Sequence, residues 1–337
     1  MRLDKIIRQL GKGSALAALV GASLMLAAPA AVAQDEPLDV VFAHHSSASN
    51  PFWQAVKKGF DDACQKLSAE CQMLFTQNEG SIEQQVANIQ AAMARGPDAL
   101  IITIVDDQAL DQIVADARAQ GVIVIASNVD DTEGADGNER QAFIGQGFVA
   151  AGHALGKAMA ERFPAEGPIS AVVGVSAPGQ NWSEQRAQGI MEYLEEYKAA
   201  NPDREVSIER LDTGTEGAVV ADRVGSYLNA NPDTTVYFDT GLWHAYVARV
   251  LADRGVPPGK VLLGGFDIVA EVLQQMEAGY IQVQVDQQPY MQGFMPVMEA
   301  YLAKSFGLSP ADINTGTGLV YPEDVEAIMP LATQGLR

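Results

Sequence analysis

From Asp39 onward the chain alternates short runs of β-branched and aliphatic residues with segments whose apolar positions recur every three or four residues, and this rhythm restricts the fold more than any other feature. "DVVFA", "ALIITIV", "VIVIAS" and "AFIG" read as strands in the first half. "ISAVVG", "VSIERL", "TTVYFD", "VLLGGFD" and "IQVQVDQ" do so in the second. Between strands, "SIEQQVANIQAAMARG" opens on a Ser81 to Gln84 capping box, repeats Ile82, Val86, Ile89 and Met93 on one face, and stops at Gly96 before Pro97. "DQALDQIVADARAQG" is the next helix. Such alternation specifies an α/β class, parallel sheets covered by helices on both faces. About ten strands exceed one comfortable sheet of this kind, so two doubly wound parallel-sheet lobes are expected. No linker rich in Pro, Gly or Ser separates the halves. The lobes should therefore be joined by short extended crossings, leaving a cleft that closes as on a hinge.

The stretch "ASNPFWQAVKKGF", Ala48 to Phe60, sets a proline and two adjacent aromatics at the mouth of a helix. Asn50 is a good N-cap, Pro51 suits the first helical position, and Val56, Phe60, Ala63 and Leu67 recur at helical spacing. Phe52 and Trp53 then occupy the first turn, beyond the carboxyl end of a strand, where open α/β sheets bind ligands. Neighbouring residues on a helix point about 100° apart, so at least one ring should face the core. A core plug and a ligand platform both remain open on this stretch alone.

Residues 1–33 stand outside the alternation. A basic start, "MRLDKIIRQLGKG", an apolar run, "SALAALVGASLMLAA", and small residues ending at Ala33 form the pattern of a cleaved secretory signal peptide. No later stretch approaches about 18 consecutive apolar residues, so the mature chain from Gln34 is expected to be soluble outside the cytoplasm. The leader carries Arg2, Lys5, Arg8 and Lys12 against Asp4, a net of +3, so its removal takes the charge from −21 to −24. That excess of acid argues against nucleic acid or an anionic membrane as a partner. Cys64 and Cys71 are the only cysteines. In an oxidising compartment they are expected to form a disulfide between the end of the first helix and the next strand, with unlinked thiols as the alternative. No metal site is expected, because His44, His45, His153 and His244 show no ligand spacing with either cysteine.

Residues just after each strand should line the cleft. Those positions hold His45, Ser46, Phe52 and Trp53, then Asp106 and Asp107, Ser127 and Asn128, Arg186, Asp239 and Thr240, Asp267, and Gln287. Aromatic faces mixed with carboxylates, amides and a guanidinium suit a polyhydroxylated ligand, whose hydroxyls bond to the polar groups while its C–H faces stack on rings. Asp107 and Thr215 are equally well placed to cap helices. Enzyme motifs are sparse. "GQGFVA" (Gly145 to Ala150) matches a dinucleotide pattern, but close strand-to-helix packing explains its glycines better. "GVSAPG" lacks the spacing of a nucleophile elbow, and Asp106 with Asp267 offers a carboxylate pair of unknown separation. His44 and His45 point to opposite faces of a strand, so at most one reaches the cleft.

The ordered set of segments resembles the type I periplasmic sugar-binding proteins of ABC transporters, the ribose-binding group. "SNPFW" is similar to that family's first-helix motif, "RGPDALIITIVD" to its third strand, "EQRAQG" to its ligand-arginine turn, "LLGGFD" to its aspartate turn and "VDQQPYMQG" to its hinge-side glutamine segment. "FAHHSSASNPFW" and "VDQQPYMQGFMPV" look especially close to a simple-sugar subgroup. The resemblance covers essentially the whole mature chain and implies a first lobe over 34–145 plus 288–324 and a second over 146–287 plus 325–337. It implies a small neutral sugar or polyol held between the lobes, with Phe52 and Trp53 flanking its ring and Arg186, Asp267 and Gln287 as polar ligand residues. The expected ligand set is His45, Ser46, Asn50, Phe52, Trp53, Asp106, Asn128, Arg186, Thr240, Asp267 and Gln287. The same resemblance implies a monomeric periplasmic binding protein without cofactor or catalysis, delivering its ligand to a membrane permease. A sensory binder for a chemoreceptor or kinase, and a secreted carbohydrate-active enzyme, are the alternatives. The family often has Asp-Arg where "IASNVD" places Asn128 and Val129, and its second-lobe Asn is replaced around Thr240. An amide offers a donor and an acceptor where a carboxylate accepts twice, so a hydroxyl pattern other than that of ribose is expected.

Overall fold

A computed structural model describes residues 36–316 and 318–337; the leader expected over 1–33 lies outside them. The first half runs β1 (Asp39–Ser47), α1 (Pro51–Leu67), β2 (Glu70–Thr76), α2 (Ile82–Met93), β3 (Ala99–Ile102), α3 (Asp107–Ala119), β4 (Ile123–Asn128) and β5 (Ala142–Gly145). The second continues with α4 (Phe148–Ala160), β6 (Ile169–Val175), α5 (Asn181–Ala200), β7 (Val206–Asp212), α6 (Gly217–Ala230) and β8 (Val236–Asp239). It goes on through α7 (His244–Asp253), β9 (Leu262–Phe266), α8 (Ala270–Glu277) and β10 (Ile281–Asp286). Then α9 (Pro289–Phe306), β11 (Ile313–Asn314), β12 (Gly318–Val320) and α10 (Val325–Thr333) complete the fold.

Among the described residues two six-stranded sheets result, ordered β11-β5-β4-β3-β1-β2 and β12-β10-β9-β8-β6-β7. Every pairing is parallel except β10 with β12. In each sheet the order reverses beside the first strand of the lobe, between β1 and β3 and between β6 and β8. Ligands of open α/β sheets lodge at such reversals.

The chain passes between lobes at Gln146–Gly147, at Gln287–Gln288 and between β11 and β12. These crossings are braced to one another: Thr315 N donates to Gly145 O at 2.8 Å and Gln146 Nε2 to Gly316 O at 2.8 Å. Gln288 Nε2 bonds to Thr315 O. Because β12 joins β10, residues 318–324 leave the first sheet earlier than the expected boundary at 324.

Each lobe is built on a pair of helices whose backbones touch. In the first, a Cβ on Gly293 of α9 would lie 1.9 Å from Val56 O, and one on Gly59 of α1 would lie 2.0 Å from Tyr290 O. In the second, Gly189 of α5 and Gly152 of α4 stand in the same relation to Val149 O and Arg186 O, at 2.0 and 2.2 Å. Only a residue without a side chain fits at these four points. A Cβ on Gly145 would lie 2.3 Å from the Phe143 ring of its own strand and 3.0 Å from Asn128 O of β4, and Gly147 has nothing within 4 Å, so strand-to-helix packing explains neither glycine of "GQGFVA".

α1 starts as its sequence indicates, with Asn50 Oδ1 accepting from Phe52 N at 3.1 Å and Pro51 in the first turn. α2 departs from expectation. Ser81 accepts from Gln84 N, but Gln84 Oε1 turns to Gln77 N, leaving the capping box half made. The buried positions are Gln85, Ile89 and Ala92, while Ile82, Val86 and Met93 are only half-buried. The reason is polar: Gln85 Nε2 donates to Thr103 O at 2.8 Å and to Ala43 O at 3.3 Å, linking β1 to β3. Cys64 and Cys71 form a disulfide, with Cα atoms 6.2 Å apart.

Candidate ligand-binding site

The end of β1 and the mouth of α1 build one wall of the cleft. Of the two adjacent histidines, His45 lines the cavity and His44 does not, although both rings lie against Trp53. His44 is fully buried, its ring stacked on Trp53 at 3.9 Å with 5° between planes. Trp53 also meets Phe42 and Phe52 edge-on and is only 2% exposed. It is therefore core on the face turned to His44, while still lining a cavity between the lobes together with Phe52 and His45. Burial pushes both imidazoles down, His45 to about 4, so each is neutral at pH 7. His45 Nδ1 lies 2.9 Å from Thr103 Oγ1, a hydroxyl that already accepts from Gln85.

Glu79 joins this wall although nothing about its sequence position marks it. Its carboxylate accepts from Ser46 Oγ at 2.6 and 2.7 Å, Ser47 N at 3.0 Å and Asn50 Nδ2 at 2.9 Å. Asn50 thus serves as helix cap and cavity residue at once. Ser46 is held behind Glu79 and does not line the cavity, because its hydroxyl is committed to the carboxylate.

The opposite wall comes from the second lobe. Arg186 in α5 is buried among aromatic rings, its guanidinium carbon 4.2 Å from the Phe266 ring centre, 4.6 Å from Phe148 and 5.5 Å from Trp182. Desolvation pushes Arg186 down to about 10, which leaves it charged at pH 7. Nη1 donates to Thr240 O at 2.8 Å, and Nε finds no protein acceptor among the described residues. Burial raises the Asp267 carboxyl, with Arg186 and a bond from Gln287 pulling it back. Trp182 and Trp243, at the starts of α5 and α7, have ring centres 6.3 Å apart and complete an aromatic face. They carry the same signal as Phe52 and Trp53, an aromatic in the first turn after a strand.

The floor is polar. Asn128 Nδ2 donates to Gln287 Oε1 at 3.1 Å and to Gln292 Oε1 at 2.9 Å, and Gln287 Nε2 donates to Asp267 Oδ1. Asn128, Asp267 and Gln288 take φ values of 68°, 75° and 56°; with Ser68 they are the non-glycine residues of positive φ among those described. Strained backbone thus gathers where the lobes meet. The donor half of the Asn128 amide is turned into the protein, contrary to the expectation that it would offer both halves to a ligand.

Of the expected set, His45, Asn50, Phe52, Trp53, Asn128, Arg186, Asp267 and Gln287 converge on one cavity of about 30 Å³, which adjoins a larger one of about 320 Å³ toward the cleft mouth. Ser46, Asp106 and Thr240 do not. Asp106 caps α3 by accepting from Ala109 N at 3.0 Å, so the capping role expected for Asp107 falls one residue earlier. Thr240 Oγ1 is tied to Ser176 N at 2.9 Å and Ser183 Oγ at 2.8 Å, holding the loop whose carbonyl anchors Arg186. Thr215 lines the outer cavity and α6 has no side-chain cap. Glu79, Trp182, Gly241, Leu242 and Trp243 are cavity residues that sequence reasoning missed.

The mouth is bridged from the second lobe. Asn181 N donates to Val105 O at 3.1 Å, Asn181 Nδ2 to Ile104 O at 3.0 Å and Asp107 Oδ1 at 2.6 Å, and Gln180 Nε2 to Gly80 O at 3.0 Å.

Residues 41–306 match the family described as periplasmic binding protein domain. The chain is 27% identical over 305 residues to the xylose/arabinose-binding protein XylF of Sulfolobus acidocaldarius, covering 85% of this chain and 72% of that one. It is 26% identical over 246 residues to the D-allose-binding periplasmic protein of Escherichia coli, covering 72% and 76%. Among solved structures, an ABC sugar transporter periplasmic sugar-binding protein from Legionella pneumophila superposes with a TM-score of 0.75 at 26% identity, over 82% of this chain and 99% of that one.

Proposed function

The chain belongs to the periplasmic binding protein domain family, and on that premise we propose that it captures a small neutral sugar or polyol in its interlobe cavity and delivers it to an ABC transporter permease. It does so as a monomer in the periplasm, without catalysis. The observation that carries this reading is the meeting of both lobes on one cavity: aromatic faces from each side, the Arg186 guanidinium as donor, and Asp267 with Asn128 as acceptors. Hydroxyls donate and accept at once, so a polyol satisfies both kinds of group, while its C–H faces cover the rings. The curated relatives are named for xylose, arabinose and allose, which are small neutral sugars.

The test is a thermal-shift and calorimetric screen of D-xylose, D-arabinose, D-allose, D-ribose, myo-inositol and nucleosides. A ligand present at 100 times its dissociation constant adds about 2.7 kcal/mol to stability. A stabilising sugar recovered chemically unchanged is the expected result. Turnover of the sugar would favour a carbohydrate-active enzyme, and no response to any sugar or polyol would overturn the reading.

A further inference from the structure

Gln292 lies in the first turns of α9, fully buried, and touches the first lobe and two of the three crossings. Its two Nε2 hydrogens are shared among Gln287 O at 3.0 Å, Gln287 Oε1 at 3.1 Å and Thr315 Oγ1 at 3.1 Å, while its Oε1 accepts from Asn128 Nδ2 at 2.9 Å. A backbone carbonyl can only accept, so Gln287 O fixes which end of the Gln292 amide faces it. The remaining orientations are then determined one by one. Gln292 Oε1 must face Asn128, so Asn128 presents its nitrogen, and both hydrogens of that nitrogen are used, one on Gln292 and one on Gln287 Oε1. Gln287 Oε1 therefore faces the Asn128 nitrogen, and Gln287 Nε2 is turned to Asp267 Oδ1. Asn128 Oδ1 receives no protein donor among the described residues and remains on the cavity side.

We propose that Gln292, which sequence reasoning passed over, is the positioning residue that sets the hydrogen-bond polarity of the cleft floor. By locking the Asn128 nitrogen into the wall it makes Asn128 a pure acceptor toward the ligand, and the neighbouring free oxygen of Asp267 is a second. The amide does the work of one carboxylate oxygen without its charge. A ligand must therefore present a hydroxyl hydrogen at this point, and a fluorine, ether or carbonyl oxygen there is rejected, because two acceptors face each other with no hydrogen between them. The inference deepens the sugar-binding reading and rests on it for the identity of the ligand.

Two measurements test it. The first needs no ligand: in the wild-type protein the Asn128 side-chain amide protons should exchange with solvent at least about tenfold more slowly than those of exposed amides, and Gln292→Met should abolish that protection. Fast exchange in wild type overturns the proposal. The second uses whichever of D-xylose, D-arabinose, D-allose, D-ribose or myo-inositol binds, together with its monofluoro analogues. In wild type, fluorine at one position should cost at least about tenfold in affinity. In Gln292→Met, where the Asn128 amide can turn over, the penalty at that one position should shrink below about threefold while penalties elsewhere persist. An unchanged fluorine profile at uniformly lower affinity would make Gln292 merely structural and overturn the proposal. If no sugar binds, the sugar reading fails, and the exchange measurement still decides the role of Gln292.

Discussion

Trp53 gives one face to His44 and lies edge-on to Phe42, so deleting its ring removes core and cleft together. Trp53→Ala is expected to cost about 3–5 kcal/mol of unfolding free energy in addition to weakening binding. Denaturant titration checks this; unchanged stability would make the ring a ligand platform only. His45 gives the molecule an acid-sensitive point. Its folded pKa of about 4 lies below the ordinary 6.5, so above pH 6.5 both states are neutral and the group contributes nothing to the slope. As pH falls from 6.5 to about 4 the unfolded chain takes up a proton that the folded chain excludes, and about 3 kcal/mol of stability is lost across that window. Asp267 and Asp286, both raised by burial, act in the opposite sense, holding protons that the unfolded chain releases. The difference between wild type and His45→Gln isolates the histidine: the variant should lose less stability between pH 6.5 and 4.5, and equal losses would refute the assignment. At this scale the sequence was legible where a residue follows directly from a strand end, as with Asn128, Asp267 and Gln287. It was not legible where a competing partner takes the side chain away. Ser46 goes to Glu79, Thr240 to Ser176 and Ser183, and Asp106 to its own helix, and such competition is settled by tertiary neighbours that spacing does not reveal.

Helix pairs α1 with α9 and α4 with α5 are joined at glycines, and their tolerance should be sharply local. Gly293→Ala and Gly189→Ala each force a methyl group into a backbone carbonyl, a close-packing clash that costs upward of about 1–3 kcal/mol. Gly147→Ala, with open space around it, should cost about 1 kcal/mol or less. Thermal melts of the three variants test this, and equal melting temperatures would show that the helices separate freely. The strands and helices were readable from periodicity because their apolar faces are real burial faces: β3 is buried throughout, and Val56 and Phe60 lie inside α1. α2 misled because a buried glutamine replaced an apolar residue on its inward face, and hydropathy patterns carry no mark for a glutamine held by hydrogen bonds to two strands. The glycine contacts were equally silent, since each partner stands far off in the chain or on another helix.

Across the whole molecule, the bonds of Asn181 to Val105, Ile104 and Asp107 link α5 of the second lobe to the first, and separating the lobes would break them. Asn181→Ala should therefore favour the open form, raising the radius of gyration of the free protein in X-ray scattering and weakening ligand binding about tenfold. An unchanged profile and affinity would mean that closure does not depend on this bridge. The two-lobed plan followed from strand count and the missing linker, while the point at which the chain leaves the first sheet for the last time depended on β12, three residues long and too short to read. Three passages between lobes is an odd number, and parity has a practical result. The first described strand and the last helix therefore lie in different lobes, so a pair of dyes, one near the start of β1 and one on α10, would report any movement of one lobe against the other. Any two labels separated along the chain by an even number of passages would share one body and be blind to it.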